Sequence, residues 1–146
     1  MEERRKQDLT AEADGIIEGR NAVIEAQGVI ALAAVREYVS VESILQAARD
    51  KGEPPLLVVC DEISDPHNLG AVIRTAECAG AHGVIIPKRR SAGLTAVVAK
   101  TSAGAVSHVP VARVANLPAL LKELKEAGVW VFGTAADGDR LLYDTD

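Results

Sequence analysis

The sequence predicts an α/β fold, a parallel sheet covered by helices on both faces, and three observations lead there. From Leu56 onward, short apolar runs rich in Val and Ile alternate with amphipathic stretches of helix length. The runs are apolar throughout, which suits parallel strands buried between two layers. Helix-starting and helix-stopping residues stand between them where a strand-to-helix alternation needs them. The order is then β-α-β-α-β-α-β, with right-handed crossovers.

The N-terminal third is less regular. A charged leader, MEERRKQDLTAEADG, precedes IIEGRNAVIEA, read as a short helix, and GVIALAA reads as a strand. Ser40 caps a helix bearing Val41, Ile44, Leu45 and Ala48 up to Gly52. KGEPP then breaks the chain before the main sheet, whose first strand is LLVVCDEI, ending in acids. DPHNLGAVIRTAECAG follows as a helix: Asp65 can cap it with Pro66 in the first helical position, or Asn68 can itself be the cap. At about 100° per residue, Leu69, Ile73, Ala76 and Gly80 share a face with Val72 beside it, and this face packs on the sheet. Gly80 reads as the helix end. GVIIPK is the second strand, LTAVVAKTSAGAV a helix rich in small residues, and VPVARV the third strand. Asn116 caps a helix with a stripe of Leu117, Leu120, Leu121 and Leu124 and a wet face of Lys122, Glu123, Lys125 and Glu126, ended by Gly128. VWVFGTA is the fourth strand, followed by ADGDRLLYDTD.

Composition bounds the function. A chain of 146 residues with 48% hydrophobic content suits one ordinary domain. No run of about eighteen apolar residues is present and the leader is charged, so a soluble cytoplasmic protein without a membrane span is expected. Cys60 and Cys78 lack the company a zinc site needs and are read as reduced core residues. A net charge of -5 argues against a protein that coats nucleic acid through a wide basic surface. Nucleic-acid contact must then be local, and Lys88, Arg89 and Arg90 are the obvious basic cluster.

The helix after the first strand holds the candidate chemistry. Arg74 lies about 140° from Leu69 and so faces away from the sheet. Helical side chains lean toward the N-terminus, so Arg74 reaches back over Gly70 toward the helix mouth, where backbone N–H groups favour an anion or a developing negative oxygen. On geometry alone Arg74 is as well read as a solvated arginine, and Asn68 as an ordinary cap. The spacing of Asp61, Glu62, Asp65 and His67 matches no metal-ligand pattern. No G-x-S-x-G and no G-x-G-x-x-G is present, which sets aside a nucleophilic triad and a dinucleotide fold.

From about Leu56 to the C-terminus the chain resembles the first part of the catalytic domain of the SpoU/TrmH family of RNA ribose 2'-O-methyltransferases, in the SPOUT superfamily. D-P-x-N-x-G-x-x-x-R-T-A, at Asp65 to Ala76, is that family's first motif, and KRRSAGLTAVVAKTSAGA looks most like the branch acting on a guanosine of large-subunit ribosomal RNA. The resemblance implies methyl transfer from S-adenosylmethionine to a ribose 2'-hydroxyl by a homodimer with a C-terminal trefoil knot, and no metal. It carries catalytic roles to Asn68 and Arg74 and leaves Gly133 and Thr134 of the cofactor pocket; RNA contact at Lys88, Arg89 and Arg90 is expected from their charge, against the ordinary reading of such a cluster as a solvated loop. Arg74, facing away from its own sheet, is placed to complete a site across a dimer interface.

The family's second motif, G-x-E-G, and third, S-x-N-V-x-x-A, belong beyond Asp146, so the expected fold is the α/β knot without its knot and weak cofactor binding is expected. Residues 1–54 resemble a remnant of the family's small RNA-binding domain with its linker, as though Ala26 were joined to Gln27 across a deletion. Residues 55–146 resemble a partial catalytic domain. The competing reading is a non-catalytic remnant that dimerises or contacts RNA.

Overall fold

The structure is a computed structural model describing residues 37–135, 137, 138, 141 and 144, and the backbone of 21–26 and 29–34. The leader, and most of the segment after Ala135, lie outside the described residues.

The centre is a three-stranded parallel sheet of β3 (Leu57–Val59), β4 (Gly83–Pro87) and β5 (Val111–Val114), in that order. Leu57 pairs with Gly83 and Val84 with Val111. The ladder runs one residue further at each carboxyl end, through Cys60 N–H to Ile85 O at 2.9 Å and Lys88 N–H to Val114 O at 2.8 Å. Val39 bridges to Ala112 in parallel sense on the free side of β5.

Among the described residues four helices flank the sheet, each started by the side chain its sequence supplies. In α1 (Val41–Lys51) Ser40 Oγ accepts the Ser43 N–H at 3.1 Å. In α2 (Pro66–Cys78) Asp65 Oδ1 accepts the His67 N–H at 2.8 Å with Pro66 in the first turn, which settles the cap on Asp65 rather than Asn68. Thr95 caps α3 (Ala96–Thr101), and Asn116 Oδ1 caps α4 (Leu117–Glu126) through the Ala119 N–H at 3.0 Å. Gly128 leaves α4 at φ 84°, a conformation open to glycine at little cost.

The alternation of β4 divides the core. Val84 and Ile86 turn toward α2 and α3, joining Cys60, Leu69, Ile73, Val98, Val106 and Val111. Ile85 turns the other way, to Ile44 of α1, Ala112 and Leu117 of α4. Helices on both faces follow, as the apolar runs predicted. Gly83 is required by this layering: a Cβ there would lie 2.6 Å from Ile44 Cδ1.

Five expectations are corrected. Asn21–Ala26 is a strand, β1, paired antiparallel with β2 (Val29–Ala34), not part of a helix. Val23 and Ile24 are β-branched, and with Ala26 opposite Val29 only two residues separate the strands, the spacing that favours a hairpin. Val129–Ala135 is no strand. Its Val129 N–H turns back to Leu124 O at 2.9 Å, and among the described residues no ladder takes its backbone groups. Trp130 and Phe132 there are 78% and 55% exposed, their rings stacked 6.4 Å apart. The helix expected over LTAVVAKTSAGAV divides into α3 and a 3-10 turn at Ala105–Ser107. The first strand of the sheet is shorter than LLVVCDEI suggested. Cys60 is buried, its thiol pushed up to about 11 by desolvation, whereas Cys78 is exposed at the end of α2 and is no core residue.

Candidate functional site

Because Leu69, Ile73 and Ala76 are turned to the sheet, α2 presents the residues between them outward. His67, Ala71 and Arg74 fall four and then three positions apart, one line along the helix. All three line a shallow groove of about 640 Å³, whose other wall is Val97, Lys100, Thr101 and Ala103. No carboxylate lines it, and among the described residues neither Arg74 nor Lys100 has an ion-pair partner.

Gly70 sets the width of the groove. A Cβ at Gly70 would overlap Thr101 Oγ1 and sit 2.8 Å from Thr101 Cβ. Thr101 therefore fills the space that the sequence suggested for Arg74 reaching back along its own helix. Its hydroxyl donates to Val97 O at 2.8 Å, and the close seat keeps α3 against α2. Asn68 lies one residue from His67, about 100° round the helix. It is exposed, does not line the Arg74 groove, and makes no side-chain hydrogen bond among the described residues.

A second depression lies where an open α/β sheet places its ligand crevice, at the carboxyl ends of the strands. Asp61 and Glu62 follow β3 there, Arg89 and Arg90 follow β4, and Asn116 follows β5. Its charges are mixed: Arg90 Nη1 meets Glu62 Oε1 at 3.0 Å. Both partners have positive φ, 53° for Glu62 and 56° for Arg90, and the third such non-glycine residue among those described is Ala103, φ 51°, on the first groove. Side chains in that region cost about 1–3 kcal/mol each, and strain of this kind collects at functional sites.

The loop that carries the basic cluster is pinned from two sides. Arg113 Nη2 donates to Lys88 O at 2.9 Å and its guanidinium lies 4.9 Å above the Tyr38 ring. The Tyr38 hydroxyl accepts the Leu94 N–H at 2.8 Å. Lys88, Arg89 and Arg90 are all exposed. Gly133 and Thr134 stand exposed in the segment after α4 and line neither depression. Among the described residues no three His, Cys, Asp or Glu side chains gather as metal ligands, and no helix is long and apolar enough to cross a membrane.

Sequence reasoning placed Arg74 on an outward face and missed its neighbours. His67 was open to the same angular reckoning, since seven residues bring a helix back almost to its starting direction. Lys100 was not, because its place beside Arg74 depends on Thr101 seating against Gly70.

A doubly covered parallel sheet, with a mixed-charge crevice at its strand ends and a cationic groove between α2 and α3, defines an α/β protein with two open depressions. The model of the SpoU rRNA Methylase family matches residues 55–146, more than half of the sequence, and the chain belongs to that family. It is 54% identical over 110 residues to YacO of Bacillus subtilis (strain 168), named as a TrmH family tRNA/rRNA methyltransferase, covering 75% of this chain and 44% of that protein. Among solved structures it is similar to one from Porphyromonas gingivalis assigned as an RNA methyltransferase of the TrmH family, with TM-score 0.58, 26% identity, and coverage of 80% of this chain and 41% of that one. The AdoMet-bound rRNA methyltransferase of Sinorhizobium meliloti superposes with TM-score 0.51 and 27% identity, over 63% of this chain and 33% of that one. The chain thus spans less than half the length of these relatives.

Proposed function

We propose that the chain carries the ribose-activating part of an RNA 2'-O-methyltransferase that takes its methyl group from S-adenosylmethionine and acts on ribosomal RNA in the cytoplasm. The observation that carries this reading is Arg74: exposed, unpaired by any acid among the described residues, and held on the first-motif helix beside an acid-free groove. A 2'-hydroxyl is a poor nucleophile until its proton leaves, and a fixed cation beside it stabilises the oxygen as charge develops. With a pKa of roughly 12.5–13.8, arginine acts as that fixed charge better than as a base. Asn68, exposed six residues before Arg74 and outside its groove, is the second first-motif residue and would hold the ribose.

The methyl donor is a different matter. Gly133 and Thr134, the residues proposed to hold S-adenosylmethionine, project from an irregular segment and are not part of the crevice at the strand ends. In this reading residues 55–146 are the partial catalytic unit and 1–54 the RNA-binding remnant and linker, and the protein works as a homodimer. The exposed stacked pair Trp130 and Phe132 favours the second reading, in which the chain as it stands dimerises or contacts RNA without catalysis.

Isothermal titration decides between them. S-adenosylmethionine binds this chain weakly or not at all, and binds in the micromolar range when the family's glycine-rich loop and last helix follow Asp146. A folded, extended chain that neither binds it nor methylates a ribosomal RNA transcript removes the first reading.

A further inference from the structure

The two basic clusters differ in what surrounds them. The Lys88–Arg90 loop faces Asp61 and Glu62 across its crevice, and Arg90 is already paired with Glu62. The α2–α3 groove has Arg74 and Lys100 on opposite walls, His67 beside them, and no carboxylate in its lining. In a chain with 21 acids against 16 lysines and arginines, an acid-free pair of cations is a local reversal of the overall field.

We propose that Lys100 is a further RNA-binding residue, holding a backbone phosphate of the strand whose ribose lies at Arg74. The inference rests on the RNA reading given above. Lys100 is exposed in the last turn of α3, and the Gly70–Thr101 contact next to it fixes α3 against α2, so the lysine stem starts from a set position across the groove from Arg74. A compact ammonium with three donors on a flexible stem suits a phosphate, whereas the planar guanidinium of Arg74 suits a fixed place beside the sugar oxygen. Phosphate contacts position a strand without reading its sequence. Lys100 then sets which ribose along the strand meets Arg74.

Fluorescence anisotropy of a labelled single-stranded RNA with the full chain, from about 50 to about 200 mM salt, tests this without S-adenosylmethionine. Lys100→Ala weakens binding about threefold to tenfold and makes the salt slope shallower by about 0.7, the release expected for one phosphate contact. Lys100→Arg keeps the parent's affinity and slope. Parental binding by Lys100→Ala overturns the proposal, as does a parent chain that binds no RNA at the lower salt. A loss confined to the chain with Lys88, Arg89 and Arg90 changed to Ala also overturns it, in favour of the loop. Titration with the methyl donor fails or succeeds independently of these outcomes, so the two ideas fall separately.

Discussion

The α2–α3 groove and the crevice at the strand ends are built on opposite plans. The groove rests on two regular helices in close contact, over the larger of the two core layers, and its cations are left unpaired among the described residues. The crevice is made of loops, two of its residues are held at positive φ, and one of its cations, Arg90, meets Glu62 at 3.0 Å. The groove keeps its cations clear of acids, while in the crevice an exposed ion pair, worth less than about 1 kcal/mol, occupies Arg90.

The sharpest way to break this contrast is Arg74→Ala. In the extended, cofactor-binding chain it lowers methyl transfer by about 10²–10³, the cost of losing a fixed donor at a developing oxyanion, with circular dichroism unchanged because the side chain is exposed. A rate within threefold of the parent removes Arg74 from the reaction.

Raising the pH probes the core beneath the groove. The Cys60 thiol is pushed up to about 11 from 9.0 by burial, so the folded state keeps a proton that the unfolded chain gives up. This contribution is whole below pH 9 and is lost as pH rises through 11, up to about 2–3 kcal/mol at 1.36 kcal/mol per unit. Urea titrations show it as a fall in stability that Cys60→Ala lacks, and iodoacetamide at neutral pH labels Cys78 well before Cys60.

Gly70→Val forces a branched side chain into Thr101 and costs about 2 kcal/mol. An increase in stability, as helix propensity alone predicts, shows that α3 does not sit where the groove needs it. Asp65→Ala removes the α2 cap for about 1 kcal/mol, read from the urea midpoint. Smallest is Glu62→Gln. The pair it breaks is exposed, so stability moves by less than about 1 kcal/mol, and RNA binding tightens about twofold as Arg90 is released. Unchanged binding shows that Arg90 was already available.

Much of the fold was legible because single residues fix local structure. Ser40, Asp65 and Asn116 mark helix starts whatever lies around them, and Val84 to Ile86 are apolar on both faces because both faces are covered. The misread segments are those whose state depends on a partner. Val23 and Ile24 pair with a strand that a helix reading ignored, and Val131, with Trp130 and Phe132 on either side, has strand-like side chains but no ladder among the described residues. The site divides in the same way. Arg74 was readable from angle and motif, whereas Lys100 acquires its neighbour only through packing.

Trp130 is the chain's single tryptophan, and it lies 78% exposed against Phe132, three residues before Gly133. The protein thus carries its own optical reporter at the segment where the methyl donor is expected. Emission at long wavelength marks that segment as uncovered, and a blue shift records whatever comes to lie on it, be it cofactor, added chain or second protomer. RNA filling the groove beside Arg74 leaves the colour unchanged, so one cuvette separates the two halves of the chemistry.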